Sequence, residues 1–307
     1  MKDSQRHWLT LRQAICKRHE SNHTKIPSTP EFFQLFPSTA AAEKAIDGWR
    51  WKQYTIPLHG NSPSVLIREK CELHLALQDL VCHRENKGVD NTGNIKMWSS
   101  EQVLLYFILS NRVCQSITRS SESLNVCELG SGMSAFASFG LLAHAPVPFG
   151  TFWITDGNEK ALENVQQCLE KNVEHFKCDV DAHVRQVLWN HAECSLDTSK
   201  RGSFDLIIAS DCLFFRSFHA DLAQLIRSLL RPDTGLCILL QPKRGKSMDS
   251  FVEIACQVGL SVSVRTDYDP FISKLDAEYT EKYKDAYKPD IHYPVLIEIS
   301  LNEVSST

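Results

Sequence analysis

The chain has 307 residues, 43% hydrophobic and 23% charged, with a formal charge of −4; it is long enough to bury a full core and has an ordinary globular composition. The acidic balance argues against a dedicated nucleic-acid binder, and no apolar run approaches the roughly 20 residues of a membrane-crossing helix. No apolar segment of the signal-peptide kind opens the sequence, and the eleven cysteines neither cluster nor form a C-x-x-C, which predicts a reducing compartment, cytoplasmic or nuclear, and no structural metal; a monomer is the expected state.

Residues 1–45 are weakly patterned. Lys2, Arg6, Arg12, Lys17, Arg18 and Lys25 face only Asp3 and Glu20, and Trp8, Leu11 and Ile15 fall at helical spacing. A solvated basic face is the default reading, with recruitment of an acidic partner and an organellar presequence as competitors. Residues 46–115 form an appendage. Runs at 51–58 and 63–69 alternate like strands around the turn residues His59-Gly60-Asn61-Ser62, a β-hairpin that must pack on something larger. A polar stretch at 84–94 reads as a loop. Ser99 followed by Gln102 is a capping box opening a helix through Leu104, Leu105, Phe107, Ile108 and Val113. Trp98, just before it, is either a hydrophobic staple or a wall of a ligand site.

From residue 116 to 301 strands and helices alternate. Strands are expected at 124–129, 151–155 with Asp156 at the end, 184–189, 204–211, 236–240, 260–264 and 293–301. Helices start at Asn158, run over 219–230 until Pro232 stops them, and recur at 249–258; a charged linker with helical character spans 273–288. Such alternation builds an α/β fold, a doubly wound and mostly parallel sheet. The last two strands lack an ordinary apolar crossover helix, so they are expected to end the sheet antiparallel.

Chemistry concentrates at Glu128-Leu129-Gly130-Ser131-Gly132-Met133. The turn satisfies a G-x-G-x-x-A fingerprint, with Asp156 at the distance expected of a ribose acceptor. Dinucleotides and S-adenosylmethionine both use such a loop. Glu128 discriminates: a carboxylate there opposes a pyrophosphate but attracts a sulfonium and an ammonium. Asp156 is read as a ribose ligand, with helix capping as the competitor. Trp189, taken as closing the third strand, offers an indole for stacking on a base, against simple core packing. Asp211 ends a strand buried on both faces and so points at the ligand crevice. Cys212 reads as core filling rather than as a nucleophile. The run Gln241-Pro242-Lys243-Arg244-Gly245 opens at the same edge, either as solvated charge or as a contact for an acidic substrate.

These motifs resemble the seven-strand protein-lysine methyltransferases, and within them the branch that acts on calmodulin. The resemblance rests on 126–133, on Thr155-Asp156-Gly157-Asn158-Glu159-Lys160-Ala161, on Val187-Leu188-Trp189, on Ser210-Asp211-Cys212-Leu213-Phe214, on 241–245 and on His292-Tyr293-Pro294. It covers roughly residues 95–301 and makes 116–301 an S-adenosylmethionine-dependent methyltransferase domain. It implies a sheet whose last strand is antiparallel, and a cofactor site lined by Trp98, Gly130, Ser131, Gly132, Asp156, Trp189 and Ser210, with Glu128 beside it. Asp211 and Phe214 would form the family's acid-x-x-aromatic pair where the target lysine enters, with Phe where many relatives carry Tyr. The implied partner is a protein, calmodulin, methylated up to trimethyllysine. Three alternatives stay open: another protein lysine, a nicotinamide-dependent oxidoreductase, and a silent methyltransferase-fold binding module.

Overall fold

The computed structural model describes residues 31–42, 48–60, 62–71, 97–118, 123–177, 179–189 and 200–302. The expected N-terminal helix around Trp8 and the loop at 84–94 lie outside these residues. The appendage is a small sheet of β1 (Ser38–Ala40), which comes from the weakly patterned segment 1–45, with β2 (Trp49–Thr55) and β3 (Ser64–Lys70), paired antiparallel in that order. The hairpin is as expected to within three residues. Its partner β1 is a short, exposed strand with no pattern to announce it.

Two helices follow, α1 (Ser99–Ser110) and α2 (Val113–Ile117), and then the alternating part: β4 (Leu124–Leu129), α3 (Phe136–His144), β5 (Phe149–Asp156), α4 (Glu159–Asn172), β6 (Asp181–Gln186) and β7 (Leu206–Ser210). It continues through α5 (His219–Leu229), β8 (Leu236–Pro242), α6 (Ser247–Gln257), β9 (Leu260–Arg265), α7 (Pro270–Lys282), α8 (Pro289–His292) and β10 (Pro294–Leu301). The seven strands lie in the order β6-β5-β4-β7-β8-β10-β9. All neighbours are parallel except β10, which runs antiparallel between β8 and β9. Central β7 is apolar and buried along its length except at Ser210, as its unbroken hydrophobic run requires.

β6 is the clearest displacement. It spans Asp181–Gln186 rather than 184–189, because an edge strand faces water and carries polar residues. The apolar Val187-Leu188-Trp189 run lies in the irregular stretch that follows. The connection to β10 is also longer than an end hairpin: it holds α7, capped by the Asp269 side chain, which accepts from the backbone of Phe271 and Ile272.

The capping box at Ser99 does not form. The N-cap of α1 is Trp98, with no side-chain cap bond. Gln102 is spent elsewhere: its Oε1 accepts from the backbone N–H of Leu35 (2.8 Å) and Phe36 (3.1 Å), and its Nε2 donates to Gln34 Oε1 (2.7 Å). A buried amide that satisfies two otherwise orphaned backbone donors outweighs a replaceable cap. The same segment is anchored by Phe32 and Phe33, whose rings pack on Tyr279 and Tyr287 with centroids 4.8–6.2 Å apart.

The appendage docks on the main sheet's helices through one polar stripe. Asn164, Cys168 and Asn172 sit four residues apart on α4, hence on one face. The Asn172 amide accepts from Leu66 N–H (2.8 Å) and donates to Leu66 O (2.7 Å). Arg68 N–H donates to Cys168 Sγ (3.3 Å), and Asn164 Nδ2 donates to Arg68 O (3.0 Å). Side chains thus do for the edge of β3 what a fourth strand would do. Below them Ile56, Val65 and Ile67 join the same hydrophobic core as Leu105 and Phe139. Gly140 of α3 permits this approach, since a Cβ there would stand 2.3 Å from Leu105 Cδ2.

Candidate active site

β4 is the third strand of the sheet, with β5 on one side and central β7 on the other. The chain runs outward from β4 through β5 to β6 and then returns to β7 on the other side, a reversal of strand order at whose carboxyl ends open α/β sheets take their ligands. The glycine loop lies there. Gly130 and Gly132 both adopt the left-handed conformation, at φ +68° and +59°. Ser131 N–H donates to Thr155 O and Gly132 N–H to Asp156 Oδ2, each at 2.9 Å.

Asp156 also accepts from Asn158 N–H at 2.8 Å. It does not cap α4; Asn158 does, accepting from Lys160 and Ala161. Trp189, although outside β6, still reaches the loop: a Cβ on Gly130 would stand 3.0 Å from its Cζ2 and 2.8 Å from Cys212 Sγ. Its indole N–H is buried without a partner among the described residues. A buried donor of this kind beside a glycine cradle fits a site made for a polar ligand. Ser210, half-buried at the end of β7, and Cys212 close the floor. Burial pushes the Cys212 thiol up, and it lies 3.3–3.4 Å from the carbonyls of Ser210 and Leu129, which is core filling rather than a nucleophile.

Glu128 lies under the loop rather than on its open face. Its side chain is buried beneath the loop, with residue exposure of 1%, and accepts from Ser138 Oγ of α3. From there its hydrogen bonds brace the helix behind the loop. A second acid missed by sequence reasoning, Glu101, is equally enclosed. It accepts from Ser134 Oγ (2.7 Å) and from the backbone N–H of Phe136, and so caps α3, whose N-cap Ala135 offers no side-chain acceptor.

Burial pushes both carboxyls up, Glu101 to about 8, with the nearby Glu128 charge as a further cause, and Glu128 to about 7. Titrating as a pair, they retain protons in the folded protein after the unfolded chain has released them. The folded state therefore holds more protons above the ordinary carboxyl range near 4.5, and stability falls as pH rises until both have ionised. Urea midpoints are expected to fall between roughly pH 5 and pH 8, and more gently in Glu101→Gln. Equal slopes for the two proteins would refute this assignment.

On the β7 side, Asp211 adopts a left-handed φ of +53°, one of the few side chains that tolerate it. Its backbone N–H bonds Leu240 O at 3.1 Å. The following turn is pinned at Leu213, whose N–H donates to Gln241 Oε1 (2.9 Å) and whose carbonyl accepts from Ser247 Oγ. The Asp211 carboxylate is gripped by Arg244, with Nε–Oδ1 at 3.0 Å and Nη2–Oδ2 at 2.6 Å. The guanidinium also lies 5.3 Å from the Phe214 ring centroid and 5.8 Å from that of Trp98. Arg244 is thus neither solvated charge nor a free substrate contact. The run 241–245 drew attention to this edge, yet nothing in the sequence specified which of its residues turns inward.

A seven-stranded sheet with its last strand antiparallel, a glycine loop after the first strand of the alternating part, and an acid ending the second define the class of S-adenosylmethionine-dependent methyltransferases. The profile of the lysine methyltransferase family matches residues 78–257, and the chain belongs to that family. Calmodulin-lysine N-methyltransferase of Arabidopsis thaliana is 31% identical over 308 residues, covering 95% of each chain. Among solved structures, the CurJ carbon methyltransferase has a TM-score of 0.46 at 12% identity, over 68% of this chain and 57% of that one. The citrinin polyketide synthase CMeT domain has 0.43 at 15% identity, over 65% and 51%. The chain thus spans a little over half the length of these two. It is an S-adenosylmethionine-dependent lysine methyltransferase acting on a protein.

Proposed function

We propose that the protein methylates a lysine of calmodulin, with trimethyllysine as the end product. The observation that carries this reading is the likeness to the Arabidopsis calmodulin-lysine N-methyltransferase along nearly the whole of both chains. When bound, S-adenosylmethionine supplies an electrophilic methyl group on a cationic sulfur. Gly130, Ser131 and Gly132 would cradle it, Asp156 would accept from its ribose hydroxyls, Trp189 would lie against the base, and Ser210 and Trp98 would complete the walls. Glu128 would act from beneath, by bracing α3.

The residues of the β7 edge would handle the lysine. Its amine must attack as the neutral form, although the reference value lies near 10.4. An enclosed slot favours that form. Asp211 opposes it, since a carboxylate stabilises the ammonium, so its role is to orient the amine and to stabilise the positive charge that develops as the new bond forms. Phe214 would hold a methylated head group by cation–π attraction worth about 0.5–2 kcal/mol. Repeated transfer then needs only rotation of a small group in place. The test is incubation of the recombinant protein with unmethylated calmodulin and S-adenosylmethionine, followed by peptide mass spectrometry. Successive methyl increments on a single lysine are expected; calmodulin of unchanged mass would rule out the substrate.

A further inference from the structure

We infer that Arg244 is a specificity-determining latch on the lysine slot, opened by a carboxylate that the substrate carries close to its target lysine. The inference rests on the reading of Asp211 and Phe214 as the lysine site. That reading places a cation between a carboxylate and an aromatic ring, and the free protein already has one there. Arg244 binds both oxygens of Asp211, at 2.8 Å and 2.6 Å from one nitrogen, with the Phe214 and Trp98 rings alongside. Little of the pair reaches solvent, with side-chain exposures of 16% for Arg244 and 9% for Asp211.

The latch is built into the backbone. Arg244 and Gly245 both take left-handed conformations, at φ +46° and +66°. The turn is clamped from α8: Arg244 N–H donates to Asp290 O (2.8 Å) and Gly245 N–H to Asp290 Oδ2 (2.9 Å). With the backbone held by these bonds, opening the latch needs only the Arg244 side chain to move. On either side, Lys243 and Lys246 are exposed and make the approach locally basic.

One carboxylate in a closed slot serves one cation well. An incoming lysine must therefore displace the guanidinium, which loses a bidentate partner. A guanidinium leaving such a pair needs a second carboxylate, since stranding a partly buried charge is costly. A glutamate or aspartate beside the target lysine supplies it: the lysine takes Asp211 and the substrate acid takes Arg244. A substrate lacking the acid opens the latch at full cost, and so is discriminated against.

The test compares two peptides, each with one lysine, differing only in flanking glutamates replaced by glutamines. Binding is measured by calorimetry in the presence of S-adenosylhomocysteine, and KM and kcat with S-adenosylmethionine. The wild type should bind the glutamate peptide about tenfold more tightly, with the difference in KM rather than kcat. Arg244→Gln should bind both peptides alike, and the glutamine peptide more tightly than the wild type does; Arg244→Lys, which keeps charge but not the fork, should fall between. A preference for glutamate that survives in Arg244→Gln, or equal affinities in the wild type, would overturn the latch while leaving the lysine site intact. If Arg244→Gln does not fold, the wild-type ratio and Arg244→Lys still decide. Failure of the wild type to methylate either peptide or calmodulin would remove the lysine-site reading itself.

Discussion

Asp211→Asn is expected to lower methyl transfer by about 100- to 1000-fold, the loss seen when one preorganised group is removed from developing charge, and to change S-adenosylhomocysteine affinity by less than about threefold. The two halves of this expectation come from separate parts of the crevice. The proposed cofactor contacts centre on the glycine loop and the end of β5, with Ser210 and Trp98 as the walls nearer Asp211, whereas the Asp211 carboxylate itself is turned to Arg244 and its backbone N–H is tied to β8 through Leu240. The amide keeps size and an acceptor oxygen but gives up the charge. Asp211→Ala is a harsher test, because it strands the Arg244 guanidinium, of which 16% of the side chain is exposed. It should cost about 3 kcal/mol of stability besides the same loss of turnover. Single-turnover rates on calmodulin, calorimetric titration and urea unfolding separate the three effects. Turnover within tenfold of wild type in Asp211→Asn would remove Asp211 from the transfer step.

What could be read ahead of the structure followed the range of the interactions that decide each element. β4 matches its expected span at Leu124–Leu129, and β7 announces itself by an unbroken apolar run, because strand burial is written in consecutive residues. The glycine turn and Asp156 stand where a local fingerprint puts them. The failures are of another kind. Gln102 has a sound local use as part of a cap, but Leu35 and Phe36, more than 60 positions earlier, claim it. Glu128 sits two residues before the first glycine, and its direction depends on Ser138 of the next helix. Trp189 stands after β6 rather than at its end, because a solvated edge strand beside an apolar loop inverts the usual pattern. The Asn172–Leu66 bonds span 106 residues, and Arg244 reaches Asp211 across 33. No periodicity encodes such meetings; they arise once the sheet brings distant strand ends together.

Gly130→Ala is the second large effect, expected to weaken S-adenosylhomocysteine binding by tenfold or more, in rough terms above 1.4 kcal/mol, while the protein stays folded. Conformation is the smaller part: a side chain at φ +68° costs about 1–2 kcal/mol. Space is the larger. The added Cβ would lie 2.8 Å from Cys212 Sγ and 3.0 and 3.3 Å from two atoms of the Trp189 six-membered ring. Cys212 cannot retreat easily, since its sulfur sits against the carbonyls of Leu129 and Ser210 at 3.4 Å and 3.3 Å. Trp189 follows a polar edge strand and is only half-buried, so the indole is the group that yields, and it is the one proposed to lie against the base. Adding Cys212→Ala to Gly130→Ala removes the sulfur contact but not the ring contact, so the double variant should recover only part of the lost affinity. Full recovery would shift the blame from Trp189 to the thiol. Undiminished affinity in the single variant would mean that the indole does not form the wall of the cofactor site.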